Sequence, residues 1–393
     1  MFENYYSEQI KSTPSSFIRS IFGLLKNPEI ISFAGGMPNP ISFPQEELKE
    51  SMARITEKYQ DKLYQYSTTL GIDSLRQYIA EQYAARYGMN VTEKNVVITT
   101  GSQQAVDILG KTFINKDDFV LIEKPTFLGF LQIFYYYGAN FVPVTLKDYG
   151  LDIDELKVCV KNHKPKLAYL IPNFQNPTGI TYSRENRKAV FDVLKDEDTI
   201  IVQDDAYGQL YFDKKYKMPY IGETDINKNI YLGSFSKIVS PGLRLGYIIA
   251  NEEIVKKIEV AKQMADAHSS VLNQYLILDY MQNNDTEAHI EKIRALYKNQ
   301  AAAMIEAIKK NFGNKVSYTE PKGGMFTWVT LPKDKDALQL FEKAVEKKVA
   351  FIPGKPFYTI EGINNTLRLN YSNANKENIE LGIERLAEAY KEL

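Results

Sequence analysis

The stretch Gly233-Ser-Phe-Ser-Lys-Ile-Val-Ser-Pro-Gly-Leu-Arg-Leu-Gly246 decides how the rest of the chain is read. An apolar run ends there in small hydroxyl residues, followed by a single lysine, Lys237, a Ser-Pro-Gly turn and Arg244. A lysine that is to form an imine has to be held rigidly and kept partly dry, so that a neutral amine is available. Ser234, Ser236 and Arg244 set two hydroxyls and one forked cation beside it, a combination suited to a phosphate. A solvated surface loop would account for a generic Ser-Lys pair, but it accounts poorly for the whole string.

Outward from this segment the texture is regular. Short apolar runs at 95–100, 119–123, 141–144, 167–171, 199–203, 229–233 and 245–250 alternate with stretches of helical spacing such as 103–114, 153–162 and 184–195. Strand and helix in such repeated alternation imply a mostly parallel sheet covered on both faces. From about residue 271 the spacing becomes helical through 310. Two alternating runs (315–319 and 325–330), a helix at 337–347, short runs at 349–352 and 367–371 and a terminal helix then describe a smaller α+β unit. The first forty-odd residues, including Phe33-Ala-Gly-Gly-Met-Pro-Asn-Pro40, are too rich in Gly and Pro for a helix or central strand and read as an extended arm. The expected division is an arm at 1–44, a large α/β/α domain at 45–275 and a small C-terminal domain at 276–393.

Bulk properties narrow the function classes. The chain has 393 residues, 44% hydrophobic and 25% charged, with 48 basic against 49 acidic side chains and a net charge of -1. That balance gives no electrostatic case for a nucleic-acid or membrane-surface partner. The only cysteine is Cys159, so an intrachain disulfide framework is ruled out and a reducing, cytoplasmic setting is expected. Met1 to Ile10 carries no basic segment followed by an apolar one, and no apolar run is long enough to cross a bilayer. His163, His268 and His289 have no ligand-type spacing, so no metal site is expected.

Three further segments lie at predicted strand ends. Thr100-Gly-Ser-Gln-Gln104 opens a helix, whose free N–H groups and Ser102 hydroxyl suit a phosphate, although Gly-Ser is also an ordinary helix cap. Pro172-Asn-Phe-Gln-Asn-Pro-Thr-Gly179 places Asn176 before a proline with a restrained backbone, its amide free to meet a ring hydroxyl; a plain turn would use the same residues. Asp204-Asp-Ala-Tyr207 follows a β-branched run, and a carboxylate at the carboxyl end of a parallel strand points into the crevice where ligands sit. Such a carboxylate can keep a pyridine nitrogen protonated. Asp205 reads instead as a solvated loop residue, and Phe134-Tyr-Tyr-Tyr137 as a helix packed on the sheet.

In order and spacing these motifs resemble the fold-type I pyridoxal-phosphate (PLP) enzymes, specifically the class I/II aminotransferases. The texture is nearest the 2-aminoadipate and kynurenine aminotransferase branch and the transaminase-like half of some bacterial regulators. The resemblance runs from Ser16-Phe-Ile-Arg19 through Leu367-Arg-Leu-Asn-Tyr-Ser372. It implies that Lys237 is the Schiff-base lysine and proton shuttle and that Asp204 pairs with the pyridinium nitrogen. Asn176 and Tyr207 would meet the ring 3-oxygen. Ser102, Gln103, Gln104, Ser234, Ser236 and Arg244 would surround the phosphate. Phe127 would stack on the ring, where many relatives have tyrosine, and Ala206 stands where this branch commonly has proline. Tyr66 would reach a neighbouring subunit's phosphate, which implies a homodimer with its active site at the subunit interface. Arg368 would anchor the substrate α-carboxylate, joined by Gly36, Asn176 and, for dicarboxylates, Arg19.

The function so implied is transfer of an amino group from an L-amino acid to a 2-oxo acid, with 2-oxoglutarate the expected acceptor, by a ping-pong mechanism. A β-lyase or decarboxylase on the same fold is the first rival, since fold does not fix reaction type. A PLP-binding regulator without turnover ranks lower, because the arm before Gly35 is short and has no basic helix pair.

Overall fold

The structure is a computed structural model that describes residues 2–14, 23, 27–222 and 225–393. Its centre is an eight-stranded sheet built from β2 (Val96–Thr99), β3 (Phe119–Lys124), β4 (Asn140–Lys147), β5 (Gly150–Leu151), β6 (Leu167–Leu170), β7 (Ile200–Asp204), β8 (Asn229–Ser234) and β9 (Gly246–Ile249). Their order is β2-β9-β8-β7-β6-β3-β4-β5. The pairs β8/β7, β7/β6, β6/β3 and β3/β4 are parallel, whereas β9 runs antiparallel to both its neighbours and β5 antiparallel to β4. One consequence matters for the site: β2, β3, β6, β7 and β8 all deliver their carboxyl ends to the same edge, where the reversed β9 begins.

The two-residue period of each strand sorts its side chains between two cores. Val120, Ile122, Tyr169, Val202 and Ile230 pack toward the helices Gly101–Phe113, Leu128–Tyr136 and Glu252–Asp266. Leu121, Ala168, Leu170 and Ile201 face the opposite way, onto the helices Ile153–His163 and Arg184–Leu194. Strands covered on both faces have no polar side to show, and this is why the runs read as continuously apolar. Phe134 lies in the first of these cores, as the helical reading of the aromatic tract requires, while Tyr137 turns its hydroxyl to Asp107 at 2.9 Å.

The C-terminal part carries a four-stranded antiparallel sheet in the order β10 (Ser317–Tyr318), β11 (Phe326–Thr330), β14 (Thr366–Asn370), β13 (Ile352–Pro353). Helices Thr286–Phe312, Ala337–Glu346 and Lys376–Lys391 accompany it. The single helical segment expected over 271–310 is two helices, Val271–Asn283 and Thr286–Phe312. Asp285 divides them: its carboxylate accepts from the Ala288 amide at 2.9 Å and so starts a new helix. The boundary read at 275/276 falls inside the first of the pair. The run at 349–352 is also divided, β12 (Val349–Ala350) pairing in parallel with β1 (Ile31–Ser32) and β13 with β14. β1 and β12 form a two-stranded sheet of their own, and beyond β1 the Phe33 carbonyl ties the arm to β14 by accepting from the Asn370 amide at 2.8 Å. The arm is not irregular throughout, because Glu8–Ser12 is a short helix capped by Ser7. Among the described residues no helix is long and apolar enough to cross a membrane, and no cluster of His, Cys, Asp and Glu could hold a metal ion.

Candidate active site

At the carboxyl edge of the large sheet, strand ends and loops enclose a cavity of about 240 Å³. Each element contributes a few side chains. After β2 the helix Gly101–Phe113 begins, and its first turn presents Ser102 and Gln103; the loop after β3 brings Phe127. The segment after β6 supplies Ile171 and Asn176, and the end of β7 with its following turn supplies Asp204, Ala206 and Tyr207. Ser234, Ser236 and Lys237 follow β8, Arg244 precedes β9, Arg368 comes from β14 and Gly36 from the arm. Residues spread over more than three hundred positions of sequence thus meet because the large sheet ends its strands on one edge, with β14 and the arm closing the cavity from outside that sheet.

Lys237 Nζ donates to the Gly36 carbonyl at 2.8 Å, tying the arm to the lysine. Burial pulls its ammonium down to about 8, with Arg368 and Arg244 adding to the effect. Asp204 is buried, and burial raises its carboxyl to about 6 against a hydrogen bond from Tyr169. Arg368, also buried, donates to Asn176 Oδ1 and to the Ala34 carbonyl, both at 2.7 Å. Its guanidinium lies over the Phe326 ring at 4.3 Å and the Phe357 ring at 5.3 Å, a desolvated seat that lowers its pKa to about 10. Asn176 is also hydrogen-bonded to the Tyr207 hydroxyl, whose pKa burial raises.

These residues fit the cofactor implied by the resemblance. Asp204 Oδ2 accepts from the Tyr169 hydroxyl at 2.7 Å, but the buried Oδ1 has no partner. A bare buried carboxylate oxygen costs about 1–3 kcal/mol or more, and a protonated pyridine nitrogen is a donor that would satisfy it. Beside Ser102 the backbone makes room for Arg244. Gly101 has φ +76°, and a Cβ there would strike the Arg244 guanidinium. Only glycine serves both the left-handed conformation and the close approach.

Among the described residues, two of those expected at the site, Gln104 and Tyr66, do not line this cavity. Gln104 turns away from the cavity, since one further residue along a helix rotates the side chain by a large part of a turn. Its Oε1 accepts from the Thr100 amide at 2.7 Å and from Lys262 at 3.1 Å, and its Nε2 donates to Asp266 at 2.6 Å. It braces the start of the helix instead of lining the site. Tyr66 is 85% exposed, its ring set edge-on to His268 at 5.7 Å. Arg19 lies outside the described residues. Asp205, read as solvated, is held by Asn173 at 2.9 Å and by the Tyr220 hydroxyl at 2.6 Å. Sequence reasoning passed over Ile171 and Tyr169. The two-residue period was the available signal, since Tyr169 and Ile171 share the sheet face of Val202 and Asp204, with Tyr169 paired to Val202.

The chain matches the family described as aminotransferase class I and II over residues 39–386. It is 41% identical to the 2-aminoadipate transaminase of Thermus thermophilus, with 96% of this chain and 94% of that protein covered. It is 38% identical to the aromatic-amino-acid aminotransferase 1 of Thermococcus litoralis, covering 100% and 95%. The fold superposes on the crystal structure of α-aminoadipate aminotransferase from Thermus thermophilus, complexed with N-(5′-phosphopyridoxyl)-L-leucine, with a TM-score of 0.93 and 38% identity over 100% of this chain and 98% of that one. Family, fold and cavity agree: the chain belongs to the class I and II aminotransferases, enzymes that work with pyridoxal phosphate.

Proposed function

We propose that the protein moves the amino group of an L-amino acid to a 2-oxo acid, 2-oxoglutarate among the acceptors, in two successive half-reactions on one site. The observation that carries this reading is the meeting of Lys237, Asp204 and Arg368 in one cavity, with Asp204 Oδ1 bare. When bound, pyridoxal phosphate supplies a carbonyl for imine exchange and a conjugated ring that takes up the electron pair released at the substrate Cα.

The chain's own residues position and move protons. Lys237, with a pKa near 8, has a neutral amine fraction that ordinary lysines lack, and so serves first as nucleophile and then as the base that takes the Cα proton and returns it. Asp204 holds a proton at the ring nitrogen. Asn176 and Tyr207 hold the ring oxygen, and Phe127 packs on the ring. Ser102, Gln103, Ser234, Ser236 and Arg244 hold the phosphate, aided by the amino end of the helix Gly101–Phe113. Arg368, already braced by Asn176 and Ala34, takes the α-carboxylate as a fork with Gly36 beside it. Tyr66, exposed in one chain, completes the phosphate site of a second copy in a homodimer. The arm (1–44), the large domain (45–275) and the small domain (276–393) together frame the crevice.

The reading is tested on purified, cofactor-loaded protein with a panel of L-amino acids and 2-oxo acids, each half-reaction followed separately by absorbance. Transfer with parallel-line kinetics is the expected result. Release of ammonia or carbon dioxide without amino transfer would replace this function with a lyase or decarboxylase.

A further inference from the structure

Behind Asp204, away from the cavity, stands a residue that none of the roles above uses. Tyr169 is fully buried on β6, in the strand next to the one that carries Asp204. Its hydroxyl donates to Asp204 Oδ2 at 2.7 Å. Its ring is clamped by Phe130, centroids 3.8 Å apart and planes 12° from parallel, and Phe130 stacks in turn on Phe134 at 4.0 Å. A tyrosine fixed in this way has one place to send its proton. It divides the two oxygens of Asp204: one is occupied, the other is bare and buried.

We propose that Tyr169 is a positioning residue for the cofactor's ring nitrogen, holding Asp204 as an anion with Oδ1 as its one available acceptor. The inference rests on the reading of Asp204 given above. The physical argument concerns where a shared proton sits. Between a carboxylate and a pyridine nitrogen, the proton moves toward whichever base is stronger. A hydroxyl donated to the carboxylate weakens it as a base, so the proton stays on the nitrogen and the ring stays cationic. The other titratable groups near Asp204 act differently. The charge of Asp205 opposes its ionisation, the Ala206 backbone N–H favours it, the Glu123 carboxyl is itself raised by burial and by Asp204, and Tyr207 lies on the cavity side. Among the side chains about Asp204, the Tyr169 hydroxyl is the one whose hydrogen bond favours the anion.

The test uses Tyr169→Phe, which keeps the stacked ring and removes the hydroxyl. The holoenzyme is titrated with pH while the visible cofactor band is followed, and the α-deuterium isotope effect on the amino-donor half-reaction is measured beside it. A less cationic ring lets the Lys237 imine keep its proton more tightly, so the band's midpoint should rise by about one unit. The half-reaction should slow roughly tenfold, with a larger isotope effect and an unchanged KM. Phe130→Leu, which loosens the clamp but leaves the hydroxyl, should move the midpoint little.

A cofactor analogue with carbon in place of the ring nitrogen provides the decisive arm. Loaded with it, wild type and Tyr169→Phe should titrate alike, because there is no ring proton left to hold. An unmoved midpoint in Tyr169→Phe with the natural cofactor would overturn the proposal, as would a shift that persists with the analogue. If Asp204→Asn itself left the midpoint and the isotope effect unchanged, the fault would lie in the reading of Asp204, which separates that failure from failure of the Tyr169 role.

Discussion

Lys237 and Asp204 are moved in opposite directions by one cause, since burial disfavours whichever form carries charge. The lysine falls to about 8 and the carboxyl rises to about 6. The sign for the lysine is direct: below about pH 8 the amine is protonated and cannot attack, and above it the neutral form predominates. Capture of pyridoxal phosphate by cofactor-free protein should therefore accelerate through a midpoint near 8 and flatten above it; acceleration continuing to the ordinary lysine range would show that the site does not desolvate Lys237. The two neighbouring aspartates should separate under mutation. Asp204→Asn removes the negative charge opposite the ring proton and should slow Cα deprotonation by about 3 kcal/mol or more, as loss of a well-placed electrostatic stabiliser does, while cofactor retention falls less. Asp205→Asn keeps one of the two oxygens that accept from Asn173 and Tyr220 and turns the other into a donor, a change outside the cavity that should slow turnover far less; the reverse ranking, read from single-turnover rates, would shift the role by one residue. That Asp204 and not Asp205 lines the cavity was legible from the strand end alone. That Asp205 is braced by a tyrosine was not, because Tyr220 lies on a remote loop that no local pattern connects to it.

At the scale of elements, the strands were legible and the interruptions were not. A strand buried on both faces announces itself as an apolar run, so β2, β3, β6, β7, β8 and β9 lie within a residue or two of their expected places. The break at Asp285 and the division of β12 from β13 depend on which partner each half meets, and that is information from elsewhere in the chain. Gln104 shows the same limit within one turn, since helical phase, not motif membership, decides that Ser102 and Gln103 face the cavity and Gln104 faces Lys262 and Asp266. The start of this helix carries its own prediction. Gly101→Ala has to place a Cβ against Arg244 in a left-handed backbone, a strain of about 1–3 kcal/mol. Arg244 should be displaced from the phosphate, so the cofactor should dissociate more readily during gel filtration, while the strain lowers the unfolding midpoint of the cofactor-free protein by only a few degrees. Undiminished retention would mean that the Gly101–Arg244 approach is not part of the phosphate cup.

At the scale of the whole molecule, the exposed Tyr66 and the arm ask what completes the site. A large aromatic side chain at 85% exposure beside His268 suits a surface that a second copy covers. The protein should sediment as a dimer at assay concentrations, and Tyr66→Phe should weaken cofactor retention roughly tenfold if its hydroxyl reaches the partner's phosphate; an active monomer would remove that role. Substrate choice is the other question at this scale. Among the described residues, the cavity holds the cations Lys237, Arg244 and Arg368, of which Arg368 is the one proposed for the α-carboxylate. A dicarboxylate such as 2-oxoglutarate needs a further cation or donors to replace it, and Arg19 on the arm is the candidate the sequence offers. The arm leads to Gly36, whose carbonyl accepts from Lys237. Arg368→Leu should therefore impair every donor and acceptor. Arg19→Ala should raise KM for glutamate and 2-aminoadipate and largely spare leucine and phenylalanine, with kcat for the last two unchanged. Equal losses across the four donors, measured in separate half-reactions, would leave Arg19 a structural residue of the arm and place recognition of the second carboxylate on neutral donors within the cavity.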